Sequence, residues 1–234
     1  MLIAVDLDDT LCNSSFVFWD WHRKKYGFGL KPHQITNYYW PIAVKEHLNI
    51  DITFEETFTR SMEFLQTPES IDLIEPIKFS FEVLQELKSK LGLKLVVITI
   101  RSKVVAKQTK AWVHRHFNGI FEDIIFTDQF STDCKTQSKS ADSSDCISDV
   151  KDPKLQNRLF SKSQKNHLPK VEVCNILGAD ILIDDAAHHF VDFDKYNKKG
   201  VLLTQPWNKE IEPLPNVNRA KDWREVYSII KDKL

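Results

Sequence analysis

Met1-Leu2-Ile3-Ala4-Val5-Asp6-Leu7-Asp8-Asp9-Thr10 is the stretch from which the fold of this chain is read. Five apolar residues run without interruption into Asp6, and a short continuous apolar run reads as a strand buried on both faces. The run ends at Asp6 and Asp8, two residues apart, with Asp9 directly after them. Burying carboxylates at a strand end is costly unless a partner compensates their charge. A divalent cation or phosphate chemistry would supply that partner. The plainer alternative is an Asx-type turn, because Asp and Thr favour turns. The segment by itself leaves both readings open.

Two later segments repeat the pattern. Lys94-Leu95-Val96-Val97-Ile98-Thr99-Ile100-Arg101 is an apolar run ending in a hydroxyl and a cation. Ala179-Asp180-Ile181-Leu182-Ile183-Asp184-Asp185 is another, ending in paired carboxylates. In open α/β sheets ligands sit outside the carboxyl ends of the strands. Three such ends bring Asp6, Asp8, Thr99, Arg101, Asp184 and Asp185 into one crevice. The alternation of strands and helices along the chain predicts a parallel sheet with helices on both faces.

With these segments in view, the chain resembles the haloacid-dehalogenase-type (HAD-like) phosphohydrolase superfamily. Asp6-Leu7-Asp8-Asp9-Thr10-Leu11 matches its first motif and Thr99 its second. Lys170, opening Lys170-Val171-Glu172-Val173-Cys174-Asn175-Ile176-Leu177-Gly178, fits the third, and Asp184-Asp185 the fourth. Within the superfamily the chain is most similar to the 5'(3')-deoxyribonucleotidase-like group. Ile35-Thr36-Asn37-Tyr38, Gln205-Pro206-Trp207-Asn208 and Asp222-Trp223-Arg224-Glu225-Val226 are shared with it.

The resemblance implies an α/β fold, a Rossmann-like three-layer parallel-sheet core with a small helical cap inserted after the first strand. It implies a Mg²⁺-dependent phosphomonoester hydrolase acting through an aspartyl-phosphate. Asp6 would be the nucleophile. Asp8 would protonate the leaving alkoxide and then activate water, a role that needs a raised pKa, which the neighbouring charge of Asp6 is expected to supply. Thr99, Lys170 and Arg101 would bind the phosphate. Mg²⁺ would be held by Asp6, the backbone carbonyl of Asp8 and the Asp184-Asp185 pair, Asp185 in preference. Lys162 and Lys165 are rivals for the lysine role. Lys170 is preferred because it opens a helix whose N-terminal end can face an anion.

Residues 13–75 break the β/α rhythm and are crowded with aromatics, among them Phe16, Phe18, Trp19, Trp21, Trp40, Phe54, Phe58 and Phe64. Phe54, Phe58 and Phe64 recur near helical spacing, so the segment reads as a small helical cap over the crevice. Most of its aromatics would fill the cap's own core, and Phe16, Trp19 and Trp40 are the candidates to meet a substrate. Residues 1–12 and 76–234 form the core in this division. Within it, residues 130–168 are polar, rich in Ser, Asp, Lys, Gln and Asn, and read as a disordered loop. Helices are expected from Pro76, from about Lys103 to Phe117, around Ala187 to Tyr196 and from about Lys221 to Lys233. His114 and His116 are read as partly buried or solvated; His188 and His189 follow the Asp pair closely, so one of them could touch the site, with helix surface the favoured reading. Cys12 is read as a packed thiol.

The 234 residues carry a formal net charge of −1, which points to no nucleic-acid or anionic-membrane partner. No apolar stretch approaches a membrane span, and a strand beginning at Leu2 is expected to leave no room for a signal peptide. Four cysteines without a C-x-x-C spacing fit reduced thiols in the cytoplasm and no structural zinc. The expected partner is a small phosphorylated metabolite, with nucleotides as the named candidates. The alternative function is a catalytically weak binding protein of the same fold that uses its flexible loop for partner contacts. A dehalogenase is disfavoured because, by family analogy, it would not need Asp8.

Overall fold

The computed structural model describes residues 1–127 and 168–233. The segment read as a disordered loop lies outside the described residues except for Leu168, which is buried in the core. Strand β1 (Leu2–Val5) forms where the apolar run predicts it. It is joined by β2 (Lys94–Thr99), β3 (Asp123–Phe126), β4 (Ile181–Asp184), β5 (Lys199–Leu203) and β6 (Val217–Ala220). The strands are all parallel, in the order β3-β2-β1-β4-β5-β6. The chain therefore adds strands on one side of β1 and then crosses to the other. That reversal opens a crevice at the carboxyl ends of β1 and β4, where this architecture binds ligands.

The central strands β1, β2, β4 and β5 are buried on both faces, as a parallel sheet requires. Ile3 and Val5 share one face with Leu95, Val97, Ile181 and Ile183. That face packs on helices α5 (Ser80–Ser89), α6 (Ala106–Phe117) and α8 (Trp223–Lys231) through Leu87, Phe117 and Trp223. Ala4, Val96, Ile98 and Leu182 turn to the other face, against Val173 and Ile176 of α7 (Lys170–Leu177) and against Phe190 and Phe193. Strand side chains alternate with period two, so one apolar run feeds both layers.

Four helices form an insertion between β1 and α5: α1 (Ser14–Tyr26), α2 (Trp40–Leu48), α3 (Phe54–Gln66) and α4 (Pro68–Leu73). The chain enters and leaves this insertion at one place. Asn13 N donates to Glu75 O at 3.1 Å, Ile77 N to Leu11 O at 2.8 Å, and Glu75 N to Asn13 Oδ1 at 2.9 Å. The aromatics of the insertion largely pack on one another. Phe18 stacks on Trp40 with centroids 4.9 Å apart, and Trp19 is fully buried against both. Thr53 and Glu56 form a capping box that starts α3.

Two expectations are corrected, and one strand is new. Pro76 does not open a helix. It pairs with Cys12 in the neck of the insertion, and α5 starts only at Ser80 after Phe79 takes a left-handed φ of 69°. Residues 187–196 are not a helix. A 3₁₀ turn over Ala187–Phe190 gives way to turns in which Asp192 has φ 65°, because the short crossover is held by burying Phe190 and Phe193. Strand β6 was not foreseen. Val-Asn-Arg-Ala carries no apolar run, since an edge strand buries only Val217 and Ala220.

Gly200 in β5 has Phe190 packed directly over it. A Cβ there would lie 2.6 Å from Phe190 Cδ1 and 3.0 Å from Val217 Cγ2. Phe190 is buried. Gly200→Ala should destabilise the protein by about 1–3 kcal/mol through overpacking, measured by urea denaturation, and Phe190→Leu in the same chain should recover part of the loss.

Candidate active site

The register of the central strands sets the floor of the site. Val5 pairs with Val97 on one side and Ile183 on the other. The chain therefore leaves β1 at Asp6 beside the ends of β2 and β4. Asp6 N donates to Ile183 O at 2.9 Å, which holds the Asp6 backbone against β4. Lys170, the first residue of α7, reaches across from the other face and is 1% exposed. Its Nζ lies 2.5 Å from Asp6 Oδ1 and 2.7 Å from Asp184 Oδ2.

Asp185 completes the cluster. Thr10 Oγ1 donates to its Oδ1 at 3.1 Å and Trp207 Nε1 to its Oδ2 at 2.8 Å, while Asn208 Nδ2 donates to its backbone carbonyl at 2.6 Å. Asp6, Asp184 and Asp185 each offer a carboxylate oxygen within 4.8 Å of the others, and all three are buried. One ammonium group faces three carboxylates. Burial, with the like charges of Asp184 and Asp8 reinforcing it, pushes Asp6 up to about 8 against the pull of Lys170. Burial and the charge of Asp184 push Asp185 well up as well. Burial opposes the charge on Lys170, but Asp184 and Asp6 outweigh it and hold the ammonium firmly protonated. Asp184 is held well below the usual carboxylate range despite its burial. His189 and Lys170, both hydrogen-bonded to its carboxylate, are what lower it.

Asp8 is in different surroundings. Arg101 grips it as a fork, with Nε 2.9 Å from Oδ2 and Nη2 2.7 Å from Oδ1, and Arg101 Nη1 donates to Thr109 at 3.1 Å. Arg101 is buried, whereas the Asp8 side chain is 28% exposed to the cavity. Burial would raise Asp8, but Arg101 outweighs it and lowers the pKa. This corrects the expectation that the charge of Asp6 raises Asp8. The raised carboxyl is Asp6, because the guanidinium sits on Asp8. Arg101 is accordingly neither a surface pair nor free to reach a ligand while the fork is closed. Cys12 packs beneath the fork, 3.8 Å from Arg101 Nη2, and burial raises its thiol far out of reactive range.

Thr99, fully buried at the end of β2, accepts from Arg101 N at 3.1 Å through its hydroxyl oxygen, leaving its O–H to donate elsewhere. Above the floor is a cavity of about 140 Å³. Asp6, Asp8, Arg101, Lys170 and Asp185 line one end of it. Phe18, Trp40, Phe54, Phe58, Met62 and Phe64 line the other, and Tyr38 stands beside the carboxylates and His189. Trp40 is therefore at the cavity. Trp19 is enclosed in the insertion, and Phe16 packs toward Trp207 instead of lining the cavity. Lys162 and Lys165 lie outside the described residues, and Lys170 occupies the lysine position of the cluster.

Several residues here were not assigned roles from the sequence. Asp9 adopts φ 57° and caps α1 through Ser15 N, at 3.0 Å, and the Ser15 hydroxyl. Asp tolerates this left-handed conformation. Gln205 Nε2 donates to Asp9 O at 2.6 Å and Trp223 Nε1 to Thr10 O at 3.0 Å, so the loop after β1 is tied to the far end of the chain. Of the two histidines after the Asp pair, His189 is the one that meets the cluster, not the helix surface. It is buried, its Nδ1 3.0 Å from Asp184 Oδ2. His188 is exposed, and His114 and His116 are away from the cluster.

A parallel sheet carrying this carboxylate–lysine cluster at its strand ends is that of a HAD-like phosphohydrolase, and the acidic cluster fits a Mg²⁺-dependent one. A family model described as 5' nucleotidase, deoxy (pyrimidine), cytosolic type C protein matches residues 1–172 and 155–234, and the chain belongs to that family. It is an enzyme, a phosphatase. No curated protein matches the chain significantly. Similar solved structures include a predicted phosphatase from Clostridium acetobutylicum, 16% identical with a TM-score of 0.56, which covers 99% of this chain and 98% of that one. A haloacid dehalogenase-like family hydrolase from Streptococcus pneumoniae is 13% identical, TM-score 0.56, covering 98% and 97%. A HAD-hydrolase from Bacillus subtilis, bound to magnesium, is 11% identical, TM-score 0.53, covering 98% of each chain. At these identities the likeness speaks for the fold. No helix among the described residues is long and apolar enough to cross a membrane.

The raised pKa of Asp6 makes a stability prediction. In the metal-free folded state Asp6 binds its proton up to about pH 8, while the unfolded chain releases it near 3.8. Between these values the folded state holds more protons, so this group's contribution falls as pH rises. In EDTA, Asp6→Asn should therefore gain stability relative to wild type from pH 5 to pH 8, at a slope of at most about 1.4 kcal/mol per pH unit. Urea denaturation of both proteins across that range measures it.

Proposed function

We propose that this phosphatase hydrolyses phosphomonoesters through an aspartyl-phosphate on Asp6, and that nucleoside monophosphates are its substrate class. The observation that carries the reading is the Lys170 bridge between Asp6 and Asp184 at the charged end of a cavity whose other end is aromatic.

Asp6 attacks phosphorus, the bond to the leaving alkoxide breaks, and Asp8 delivers the proton that the alkoxide takes. Asp8 then accepts a proton from the water that hydrolyses the acyl phosphate, which frees Asp6 and releases phosphate. Asp8 at rest is the ionised partner of Arg101, which suits the second step. An arriving phosphate dianion is a like charge beside Asp8 and raises its hold on a proton, which suits the first. Lys170 offsets charge on Asp6 and on the phosphoryl group. The Thr99 O–H is available to a phosphoryl oxygen.

The cluster fits Mg²⁺: hard oxygen donors converge, and their charge exceeds that of Lys170. Asp6, the Asp8 backbone carbonyl and Asp185 would hold it. Asp184 already accepts from Lys170, His189 and Ala186 N, so fewer of its lone pairs remain. When bound, Mg²⁺ supplies the positive charge that admits an anionic phosphate to a carboxylate-lined site. Residues 13–75 act as the cap, with Trp40 and Phe18 offering an apolar face on which a base stacks. The family's description as a cytosolic nucleotidase supports both the nucleotide substrate and a cytoplasmic location.

Purified protein should release phosphate from nucleoside 5'-monophosphates with Mg²⁺ and lose that activity in EDTA. Sugar phosphates turned over faster than every nucleotide would overturn the substrate assignment. Asp6→Asn should lower kcat by roughly 10⁴-fold or more. Asp8→Asn should still form a phosphoenzyme with an aryl phosphate, whose good leaving group needs no proton, and then stall. Mass spectrometry should find that phosphate on the peptide containing Asp6; wild-type turnover by either variant would refute the roles.

A further inference from the structure

His189 lies in the turn directly after β4 and is 7% exposed. Its Nδ1 sits 3.0 Å from Asp184 Oδ2, the same oxygen that takes Lys170 Nζ at 2.7 Å. A carboxylate oxygen paired with an ammonium group accepts and does not donate, so Nδ1 carries the proton and donates. The other ring nitrogen, Nε2, is buried and has no hydrogen-bond partner among the described residues. Buried polar atoms are nearly always partnered, and a native exception calls for an explanation. A phenyl or aliphatic ring would fill this space without leaving such an atom bare. Among the described residues the imidazole's one hydrogen bond goes to an oxygen of Asp184.

That oxygen holds the site lysine. Asp184 Oδ1 accepts Ala186 N at 2.9 Å, from the same turn. Three donors, from the turn's backbone, the turn's imidazole and α7, therefore fix this carboxylate. Lys170, gripped by Asp184, is thereby held against Asp6 at 2.5 Å. His188, 4.2 Å between ring centroids, and Tyr38, 6.3 Å, pack on the imidazole and restrict its rotation.

We propose that His189 is a positioning residue, which acts through Asp184 to hold Lys170 on Asp6 and to keep the carboxylates spaced for Mg²⁺. The proposal rests on the phosphohydrolase reading of the site. Groups that orient metal-site carboxylates commonly contribute 10–100-fold to metal affinity or activity, and His189 is in that position.

The two nitrogens are separable by substitution in the full-length protein. His189→Asn places an amide N–H near Nδ1, His189→Gln places one near Nε2, and His189→Phe fills the space with neither. Mg²⁺ affinity is read by isothermal titration calorimetry, and kcat and KM with p-nitrophenyl phosphate. His189→Phe should weaken Mg²⁺ binding and lower kcat by about 10–100-fold, with KM nearly unchanged. His189→Asn should recover most of both, and His189→Gln little. Wild-type Mg²⁺ affinity and kcat in His189→Phe would overturn the proposal. So would rescue by Gln and not by Asn, which would place the working atom at Nε2. Should His189→Phe fail to fold, the Asn and Gln comparison decides alone. A wild-type protein that binds Mg²⁺ but hydrolyses no phosphomonoester would defeat the functional reading, and the calorimetric ranking of the variants would still test His189.

Discussion

Three carboxylates and a single ammonium group are shut away from water at the carboxyl edge of the sheet, and much of the molecule is arranged around that imbalance. Ionised groups in an apolar interior are tolerated only when paired and hydrogen-bonded. Lys170 is shared between Asp6 and Asp184, and the remaining oxygens draw donors from Thr10, Trp207, Ala186 and His189. These donors come from the loop after β1, the turn after β4 and the loop after β5. The pairing still falls short of the charge, and the deficit appears as raised proton affinity on Asp6 and Asp185. Unspent negative charge of this kind fits a cation.

Asp6 and Asp8, two residues apart, are driven in opposite directions by what surrounds them. Asp6 is enclosed among like charges, while Asp8 faces the cavity with a guanidinium on it. Environments that separate the proton affinities of two neighbouring carboxyls are how one site assigns different tasks to the same residue type. Arg101 is the source of the difference. It is anchored by Thr109 of α6, so the second motif of the fold governs a residue of the first.

The cavity above this floor has one charged end and one aromatic end because two different parts of the chain build them. The sheet contributes the charges. The helices inserted between β1 and β2 contribute Phe18, Trp40, Phe54 and Phe64. The insertion departs and returns through the pairing of residues 11–13 with 75–77, immediately beside Asp6 and Asp8. Its aromatic face is thereby set over Asp6 and Asp8 by a connection only a few residues long.

The sequence by itself determined the fold class, the central strands and the meeting of Asp6, Asp8, Thr99, Arg101, Asp184 and Asp185. Long apolar runs have one stable place in an α/β protein, and their polar ends must then gather at one edge. It did not show β6, whose four residues bury only two side chains, or the turns over residues 187–196, where burial of Phe190 and Phe193 overrides any helical spacing. Which carboxyl is raised and which lowered, and whether His189 faces solvent or Asp184, were decided by tertiary structure. Proton affinity and hydrogen bonding depend on groups within a few ångströms, and those come from residues far apart in the chain: Arg101 to Asp8, Lys170 to Asp6, Trp207 to Asp185. Spacing along a sequence records which strand end a residue occupies; the partner it meets there is set by how the strands and helices pack.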